Sequence, residues 1–363
     1  MTTIQEKIKS LANEIYPKVL GYRKYLHQYP ELSYQEFETA KFVKTQLEKI
    51  GITDIKTLAN TGVVGLISGK NHFKNQDCIG LRADLDALPI LEENEVDYVS
   101  RNKGIMHACG HDVHTAILLG AAEILFNLKD ELSQPVKLIF QPGEEKNPGG
   151  ASLMITDGVL ENPKVKEMFA LHVFPDLEVG KLGFKEGLYM ASCDEIYMTI
   201  HGKGGHGATP NQCIDPIFIG ATIITQLQQI VSRKCDPKTP CVLSFGHFEG
   251  IGATNIIPSK VEIKGTFRTM NEAWRKVGLE EIVKQARAIV ESQGGKLDIE
   301  ISKGYPYLEN NTELTQKIRS KAVSYFGEQN VIDLPLRLTS EDFAFYSQVI
   351  PVSFFRLGVQ NEA

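Results

Sequence analysis

A short run of metal-ligand residue types stands out before the middle of the chain. Residues 106–114 read MHACGHDVH and hold three of the nine histidines, together with one cysteine and one aspartate. Cys109 and His111 lie two residues apart, and a thiolate with an imidazole suits zinc and other borderline metals. The alternative is a run of surface histidines beside a chance cysteine. The clustering favours a metal site.

Paired carboxylates follow a short apolar stretch further along. The sequence FQPGEE ends in Glu144 and Glu145, directly after a predicted strand. Two adjacent carboxylates in a crevice repel each other unless a cation or a proton intervenes. One of them could therefore bind a metal while the other takes a proton from water. The alternative is an exposed acidic turn, since Lys146 follows directly.

Two more segments offer polar side chains at strand ends, where ligands collect in parallel sheets. His172 ends an apolar run in ALHVF, and by itself it would be a core histidine. Asp84 and Asp86 leave a strand in RADLDALP. They could orient a ligating histidine, or they could lie at a solvated strand end.

A glycine-rich turn carries the next candidate. His206 lies in GKGGHGATP, which lacks the spacing of a phosphate-binding loop but whose glycines let the backbone approach a ligand closely. A histidine in such a turn is hard to explain as a core residue. Asn255 and Arg268 are candidates with weaker local signals.

Apolar periodicity indicates the elements that must position these residues. Spacings of three and four residues predict a helix at the start of the chain, and Ser33 with Glu36 predicts a capped second helix. The other predictions for this part of the fold are strands at 62–67, 77–82, 136–140, 167–171 and 352–357 and helices at 113–128 and 312–326. Alternating strands and helices predict a mixed α/β fold with a largely parallel sheet flanked by helices.

The pattern changes near residue 187. From there the order is β-α-β-β-α-β, which is typical of a ferredoxin-like α+β domain. We therefore predict a split catalytic domain formed by residues 1–186 plus 304–363, and an inserted domain at 187–303.

Composition excludes several functional classes. The chain has 363 residues and a net charge of −6, so it is a poor candidate for non-specific binding to nucleic acid or to an anionic membrane. It has no apolar stretch long enough to span a bilayer and no signal-peptide pattern at its start. Six cysteines without a CxxC motif predict reduced thiols and a cytoplasmic protein.

Together these segments resemble the binuclear metallopeptidase superfamily of aminoacylases and glutamate carboxypeptidases. They are most similar to its amidohydrolase branch of hippurate hydrolases, N-acetyldiaminopimelate deacetylases and auxin-conjugate hydrolases. The resemblance covers nearly the whole chain, through LHQYPELSYQE, LRADLDALPI, MHACGHDVH, FQPGEE, LHVFP, GKGGHGATP, NIIP, GTFRT and TSEDFAFY. The cysteine in HACGHD is specific to this branch.

The resemblance implies a role for each candidate in a site with two divalent metal ions. It implies that Cys109 bridges the metals, that His111 and His172 complete the shell of one, and that Glu145 binds the other. Glu144 would be the general base. The metals would be zinc or manganese, with cobalt or nickel as alternatives that cellular availability decides.

The resemblance also implies supporting residues and a partner. Asp84 and Asp86 would support the site, and Asn255 and Arg268 would contact substrate. The inserted domain would be the lid and the dimerisation domain of a homodimer. His206 would reach across the dimer and stabilise the oxyanion in the partner subunit's site.

A last metal ligand is also expected from the resemblance. Relatives supply a histidine shortly after the segment similar to SFFRLGVQNEA, whereas this sequence has no histidine after His247. If that ligand is absent, the metal held by Glu145 is expected to bind weakly.

The expected function is metal-dependent hydrolysis of the amide bond in an N-acyl amino acid. Metal-activated water would attack, with a glutamate as general base. Two alternatives stay open: a dipeptidase or carboxypeptidase that uses the same site, and a catalytically silent metal-binding homologue.

Overall fold

A computed structural model describes residues 3–69 and 76–361 of the chain. The chain divides into two compact units. The first comprises Met1–Tyr189, Glu309–Leu336 and Asp342–Ala363, and the second comprises Met190–Leu308 and Arg337–Glu341.

Helices and strands are numbered in chain order. The helices are α1 (Ile4–Gln28), α2 (Phe37–Ile50), α3 (His111–Asn127), α4 (Gly150–Thr156), α5 (Pro216–Gln229), α6 (Glu272–Ser292), α7 (Thr312–Phe326) and α8 (Ala344–Ser347). The strands are β1 (Ile55–Leu58), β2 (Gly62–Ile67), β3 (Cys78–Asp84), β4 (Val136–Gln141), β5 (Val165–Glu178), β6 (Leu182–Phe184), β7 (Gly187–Met190), β8 (Asp194–His201), β9 (Gly205–His206), β10 (Cys241–Glu249), β11 (Ile256–Ile257), β12 (Lys260–Thr269), β13 (Lys296–Lys303), β14 (Leu308–Asn310), β15 (Val331–Asp333) and β16 (Val352–Gln360). No helix within 3–69 or 76–361 is long and apolar enough to cross a membrane.

The first unit is built on an eight-stranded mixed sheet in the part of the chain that the structure describes. Its strand order is β1-β2-β4-β3-β5-β16-β6-β15. The central pairs β3–β4, β3–β5 and β5–β16 are parallel, whereas β1–β2, β2–β4 and β16–β6 are antiparallel. The predicted mixed α/β fold with a largely parallel central sheet is confirmed.

Helices α1, α2 and α3 cover this sheet with one apolar core. Every residue of β4 is buried, as expected for a central strand in a sheet covered on both faces. Leu26, Val43 and Leu119 from the three helices join Leu138 and Phe140 of β4 in the same buried cluster. The core therefore fixes the position at which β4 ends and the polar segment after it begins.

The second unit is a four-stranded antiparallel sheet with two helices. The strand order is β10-β12-β8-β13, and β8 buries alternate residues against the core. Residues of α5 and α6, among them Ile223 and Ile282, belong to that core. The β-α-β-β-α-β order predicted for this region is present. Two short strands, β9 and β11, form a separate small sheet in the same unit.

The start of α2 differs from the prediction. Glu36, not Ser33, is the N-cap residue, and it makes no side-chain capping bond. The Glu31 carboxylate instead accepts the backbone N–H groups of Glu38 and Thr39, at 3.2 and 2.8 Å. Ser33 does not cap the helix, because its hydroxyl donates to the buried carboxylate of Asp86, at 2.7 Å. A tertiary contact has overridden a local capping pattern.

Candidate metal centre

Three neighbouring strands bring the candidate residues of the first unit together. Asp84 ends β3 and is paired in register with Gln141, the last residue of β4. His172 follows two residues after Ala170 of β5, which is paired with Arg82 of β3. Because these strands are parallel, the carboxyl ends of β3 and β4 lie at the level of His172. His172 itself lies within β5, which continues to Glu178, and not at the end of a strand as the sequence predicted.

The loop before α3 delivers the cysteine and the next histidine. It ends at Gly110, whose φ of 91° places it in the left-handed region that glycine adopts at low cost. A Cβ at this position would also lie 2.5 Å from Val173 Cγ2, so only glycine lets the loop pack against β5. Cys109 therefore lies beside His172, and His111 begins the helix.

Cys109, His111 and His172 form the first group of possible metal ligands. One donor atom from each lies within 4.8 Å of the others. The Cys109 Sγ is 3.3 Å from His172 Nε2. The His172 Nδ1 lies 2.7 Å from the Val173 carbonyl oxygen, so Nδ1 carries the proton and the Nε2 lone pair faces the sulfur.

A second group combines His111 with Glu144 and Glu145, again with donor atoms within 4.8 Å. His111 Nδ1 donates to the Asp86 carbonyl oxygen, at 2.9 Å. His111 Nε2 and Glu145 Oε1 face each other at 3.9 Å, and both are buried without a hydrogen-bond partner. Buried polar atoms are normally satisfied, and a cation bound between these two would satisfy both.

The donor set fits divalent metal ions. Sulfur, imidazole nitrogen and carboxylate oxygen together suit zinc and related transition metals, and the two groups of donors meet at His111. The ligand atoms are held in place before any metal binds, because the opposite nitrogen of each histidine is already engaged.

Burial sets the electrostatics of the protein without metal. It raises the pKa of the Cys109 thiol and of the Glu145 carboxyl, and it lowers the pKa of His172 well below its usual value. Burial also acts to lower the pKa of His111, but the Asp84 charge and the Asp86 hydrogen bond outweigh it and the pKa is raised. A divalent cation favours the deprotonated form of each ligand.

Asp86 contacts a predicted ligand residue, whereas the hydrogen bonds of Asp84 go to residues that were not predicted as ligands. The Asp84 carboxylate accepts from Arg82 at 2.6 Å and from His114 at 2.6 Å. The Asp86 carboxylate accepts from the Ser33 hydroxyl at 2.7 Å and from the Glu145 backbone N–H at 2.9 Å. Asp86 therefore orients Glu145, and Asp84 holds Arg82 and His114 beside the site.

His114 has a structural role that was not predicted from the sequence. It could join a third group with Asp84 and His111, but both of its nitrogens are engaged. Nδ1 donates to Asp84 at 2.6 Å, and Nε2 accepts the Val173 backbone N–H at 2.9 Å. It therefore fixes the strand beside His172 and does not offer a ligand atom. Its spacing of three residues from His111 on one helix face was the available signal.

Glu144 lies buried next to these donors. The residue is 7% exposed, and its Oε1 accepts the Asp342 backbone N–H at 3.4 Å. We call residues 142–149, which carry Glu144 and Glu145, the carboxylate loop. It follows β4 directly, so the paired carboxylates are placed by the end of a central strand.

The remaining candidates belong to the second unit. His206 in β9 is exposed and is paired with Ile256 in β11. Its Nδ1 accepts the Ala208 backbone N–H at 3.1 Å, which leaves Nε2 as the protonated nitrogen of a neutral ring. Asn255 lies beside it, since its carbonyl oxygen accepts the Gly207 N–H at 2.8 Å. Arg268 is on the four-stranded sheet and donates to the Leu338 carbonyl at 2.9 Å.

Known proteins resemble this chain over most of its length. A sequence profile of peptidase family M20/M25/M40 matches residues 80–363. An N-acyl-L-amino acid amidohydrolase of Geobacillus stearothermophilus is 41% identical over 309 residues, which cover 85% of this chain and 82% of that protein. Thermostable carboxypeptidase 1 of Saccharolobus solfataricus is 36% identical over 360 residues, with coverages of 98% and 90%.

A solved structure is similar as well. The Bacillus subtilis YXEP protein, described as a dinuclear metal binding peptidase from the M20 family, matches with a TM-score of 0.80 at 33% identity. The match covers 97% of this chain and 91% of that chain.

We predict that divalent metal stabilises the protein. Ions that bind only the folded state add about 2.7 kcal/mol at a concentration 100 times the dissociation constant. Zinc or manganese should therefore raise the temperature of thermal unfolding, and His111→Gln and Cys109→Ser should lose most of that rise. His201→Gln, which changes a half-exposed histidine of the second unit, should keep it. An equal rise in all four proteins would contradict this site.

Proposed function

Because this chain belongs to peptidase family M20/M25/M40 and is a hydrolase of amide bonds, we propose that it removes the acyl group from N-acyl amino acids. The observation that carries the proposal is the meeting of two buried, unpartnered ligand atoms, on His111 and Glu145, beside the buried carboxylate of Glu144. The similarity to an N-acyl-L-amino acid amidohydrolase supports this substrate class.

Four side chains would hold two divalent metals in this proposal: Cys109, His111, His172 and Glu145. Zinc or manganese is the proposed metal, with cobalt and nickel as alternatives, because the set mixes thiolate, imidazole and carboxylate. Bound divalent metals would polarise the scissile carbonyl and lower the pKa of the attacking water. The side chains of this chain do the remaining work.

Glu144 is the proposed general base. A carboxylate next to the reacting centre accepts a proton from the attacking water and delivers it to the amide nitrogen that leaves. The buried position of Glu144, with one oxygen held by the Asp342 N–H, restricts its rotation. Restricted rotation would keep the carboxylate facing the same place through both proton transfers.

His206 is the proposed donor to the oxyanion. Its protonated Nε2 is directed away from the Ala208 contact that occupies Nδ1, and a hydrogen-bond donor at a developing oxyanion contributes a few kcal/mol to catalysis. We propose that it acts in the site of a partner subunit, with the second unit as lid and dimerisation domain. Asn255 and Arg268 are proposed to contact substrate.

A carboxypeptidase is the second candidate. Thermostable carboxypeptidase 1 is 36% identical, and a peptide bond is an amide that the same groups could hydrolyse. The two candidates differ in the amino end of the substrate, since an N-acyl amino acid has no free α-amino group and a dipeptide has one.

As compartment we propose the cytoplasm, since all six cysteines are free thiols.

We expect metal-dependent release of amino acids from N-acyl substrates. The purified protein would be treated with a chelator, supplied again with zinc or manganese, and assayed on N-acetyl, N-benzoyl and N-indoleacetyl amino acids and on free dipeptides. Release from N-acyl amino acids supports the proposal and ranks the acyl groups. Release from peptides alone would move the function to peptidase, and no release with either metal would contradict both candidates.

The second expectation concerns Glu144. Glu144→Gln keeps the shape of the side chain but cannot accept a proton, so kcat should fall by about 10²- to 10⁴-fold. Metal content should stay close to that of the wild type, because Glu144 is not a proposed ligand. Glu48→Gln, an exposed change on α2, is the matched control. Near-normal turnover by Glu144→Gln would rule out the assigned role.

Mixed dimers test the proposed action of His206 across subunits. A protomer with Glu144→Ala and one with His206→Ala would be co-expressed with different tags, and the heterodimer purified. If His206 serves the partner, the heterodimer regains one complete site although each parent homodimer is inactive. A heterodimer of a wild-type protomer and a protomer with both substitutions should be inactive, because the site that keeps Glu144 receives no histidine from its partner. Activity in only that second heterodimer would place His206 in its own subunit's site.

A further inference from the structure

The turn between α1 and α2 contacts the carboxylate loop, although the proposed chemistry assigns it no role. We call residues 33–36, which read SYQE, the brace turn. It lies within the LHQYPELSYQE motif of the sequence. Three of its four side chains point to the loop or to a residue that holds the loop.

Glu36 makes the first contact. Its side chain is completely buried, and Oε1 accepts the backbone N–H of Gly143 at 2.9 Å and that of Tyr34 at 2.9 Å. Oε2 accepts the Thr61 hydroxyl at 2.7 Å. A buried carboxylate destabilises the folded protein unless donors surround it, so Glu36 needs these three hydrogen bonds. Gly143 directly precedes Glu144, and its position therefore depends on Glu36.

Tyr34 makes the second contact. Its hydroxyl donates to the Lys146 carbonyl at 2.7 Å and accepts the Gly149 N–H at 3.1 Å. One phenol thus joins the residue directly after Glu145 to the end of the loop. Glu36 therefore holds the residue before Glu144, and Tyr34 holds the residue after Glu145.

Backbone conformation at this contact is unusual. Tyr34 has a φ of 66°, which non-glycine residues rarely adopt, and Gly143 has a φ of 61°. A Cβ on Gly143 would lie 2.3 Å from the Tyr34 ring. Strained backbone persists where the surroundings over-determine it, and it concentrates at functional sites. The contact between the Tyr34 ring and Gly143 combines two residues with such backbone conformations.

Ser33 adds an indirect contact. Its hydroxyl donates to Asp86 Oδ2 at 2.7 Å, and the same oxygen accepts the Glu145 backbone N–H at 2.9 Å. The carboxylate loop begins from a separately fixed point, since Gln141 at the end of β4 donates to Asp342 at 2.7 Å. The loop is therefore anchored by its strand at one end and by the brace turn along its length.

We propose that Tyr34 and Glu36 are positioning residues for amide hydrolysis, which set the location of the base Glu144 and the metal ligand Glu145. This inference rests on the proposed function. Neither residue would touch substrate or metal. They act by holding the backbone from which the two carboxylates project, and small displacements of a catalytic group can cost about 100-fold in rate.

The test compares variants that remove the contacts with one that keeps them. Tyr34→Phe removes the hydroxyl but leaves the ring on Gly143, and Glu36→Ala removes the acceptor of two N–H groups. Each should lower kcat by about 10- to 100-fold with little change in KM. Glu36→Gln should restore most of the rate, because its amide oxygen can accept both N–H groups while its NH₂ donates to Thr61.

Glu31→Ala is the matched control for a merely structural effect. Glu31 lies in the same motif and accepts two N–H groups at the start of α2, but its side chain bonds α2 and not the loop. It should lower the temperature of unfolding while kcat stays near that of the wild type. If Glu36→Ala and Tyr34→Phe behave like Glu31→Ala, the positioning role is overturned.

Metal affinity gives a readout that does not depend on activity. Mn²⁺ would be titrated into each protein, and the free ion followed by its electron paramagnetic resonance signal. Tyr34→Phe and Glu36→Ala should raise the dissociation constant of one Mn²⁺ ion by about 10- to 100-fold. Glu36→Gln and Glu31→Ala should not raise it. If the wild type cleaves no N-acyl substrate but the affinities follow this order, the proposed function fails and the positioning of Glu145 stands. Unchanged affinity and unchanged kcat in both contact-removing variants would refute the inference.

Discussion

The carboxylate of Asp86 is where three separate parts of the chain meet. It accepts the Ser33 hydroxyl and the Glu145 backbone N–H, and its residue accepts His111 Nδ1 through both carbonyl and carboxylate oxygens. A fully buried charge cannot be left without donors. The brace turn, the carboxylate loop and the start of α3 are therefore held at distances that this one group sets. The contact that removes Ser33 from its predicted capping position follows from the same requirement.

That constraint leaves the ligand atoms organised but unsatisfied. Asp86 engages one nitrogen of His111, and the Val173 carbonyl engages one nitrogen of His172. The opposite nitrogens point into the site, where His111 Nε2 and Glu145 Oε1 lack partners. An arrangement of this kind is unfavourable by itself and favourable with a cation, so metal binding and stability are coupled. Preorganised ligands also spare the protein the cost of ordering them when metal binds.

The sheet and two glycines make this arrangement sterically possible. Parallel strands β3 and β4 end at the level of His172 within β5, which places residues far apart in sequence side by side. Gly110 allows the cysteine loop to approach Val173, and Gly143 allows the carboxylate loop to approach Tyr34. A side chain at either position would separate the two ligand groups. Backbone approach is therefore as important to the centre as the donor atoms are.

Much of this protein is determined by sequence patterns with local causes. Apolar runs and helical periodicity predicted the mixed α/β fold, and α7 begins and ends at the predicted residues. Residue types with few alternative uses, such as a cysteine two positions from a histidine, indicated Cys109 and His111 as ligands. The short pair β6–β15 was not predicted, because three residues carry no measurable periodicity. The tertiary structure alone decided which polar groups share a buried space. Only in the folded chain does His114 bond the Val173 backbone and Ser33 bond Asp86 instead of capping α2. The contacts of Tyr34 and Glu36 with the carboxylate loop likewise appear only there. The physical reason is that a buried hydrogen bond depends on distance in space, which spacing along the chain does not record.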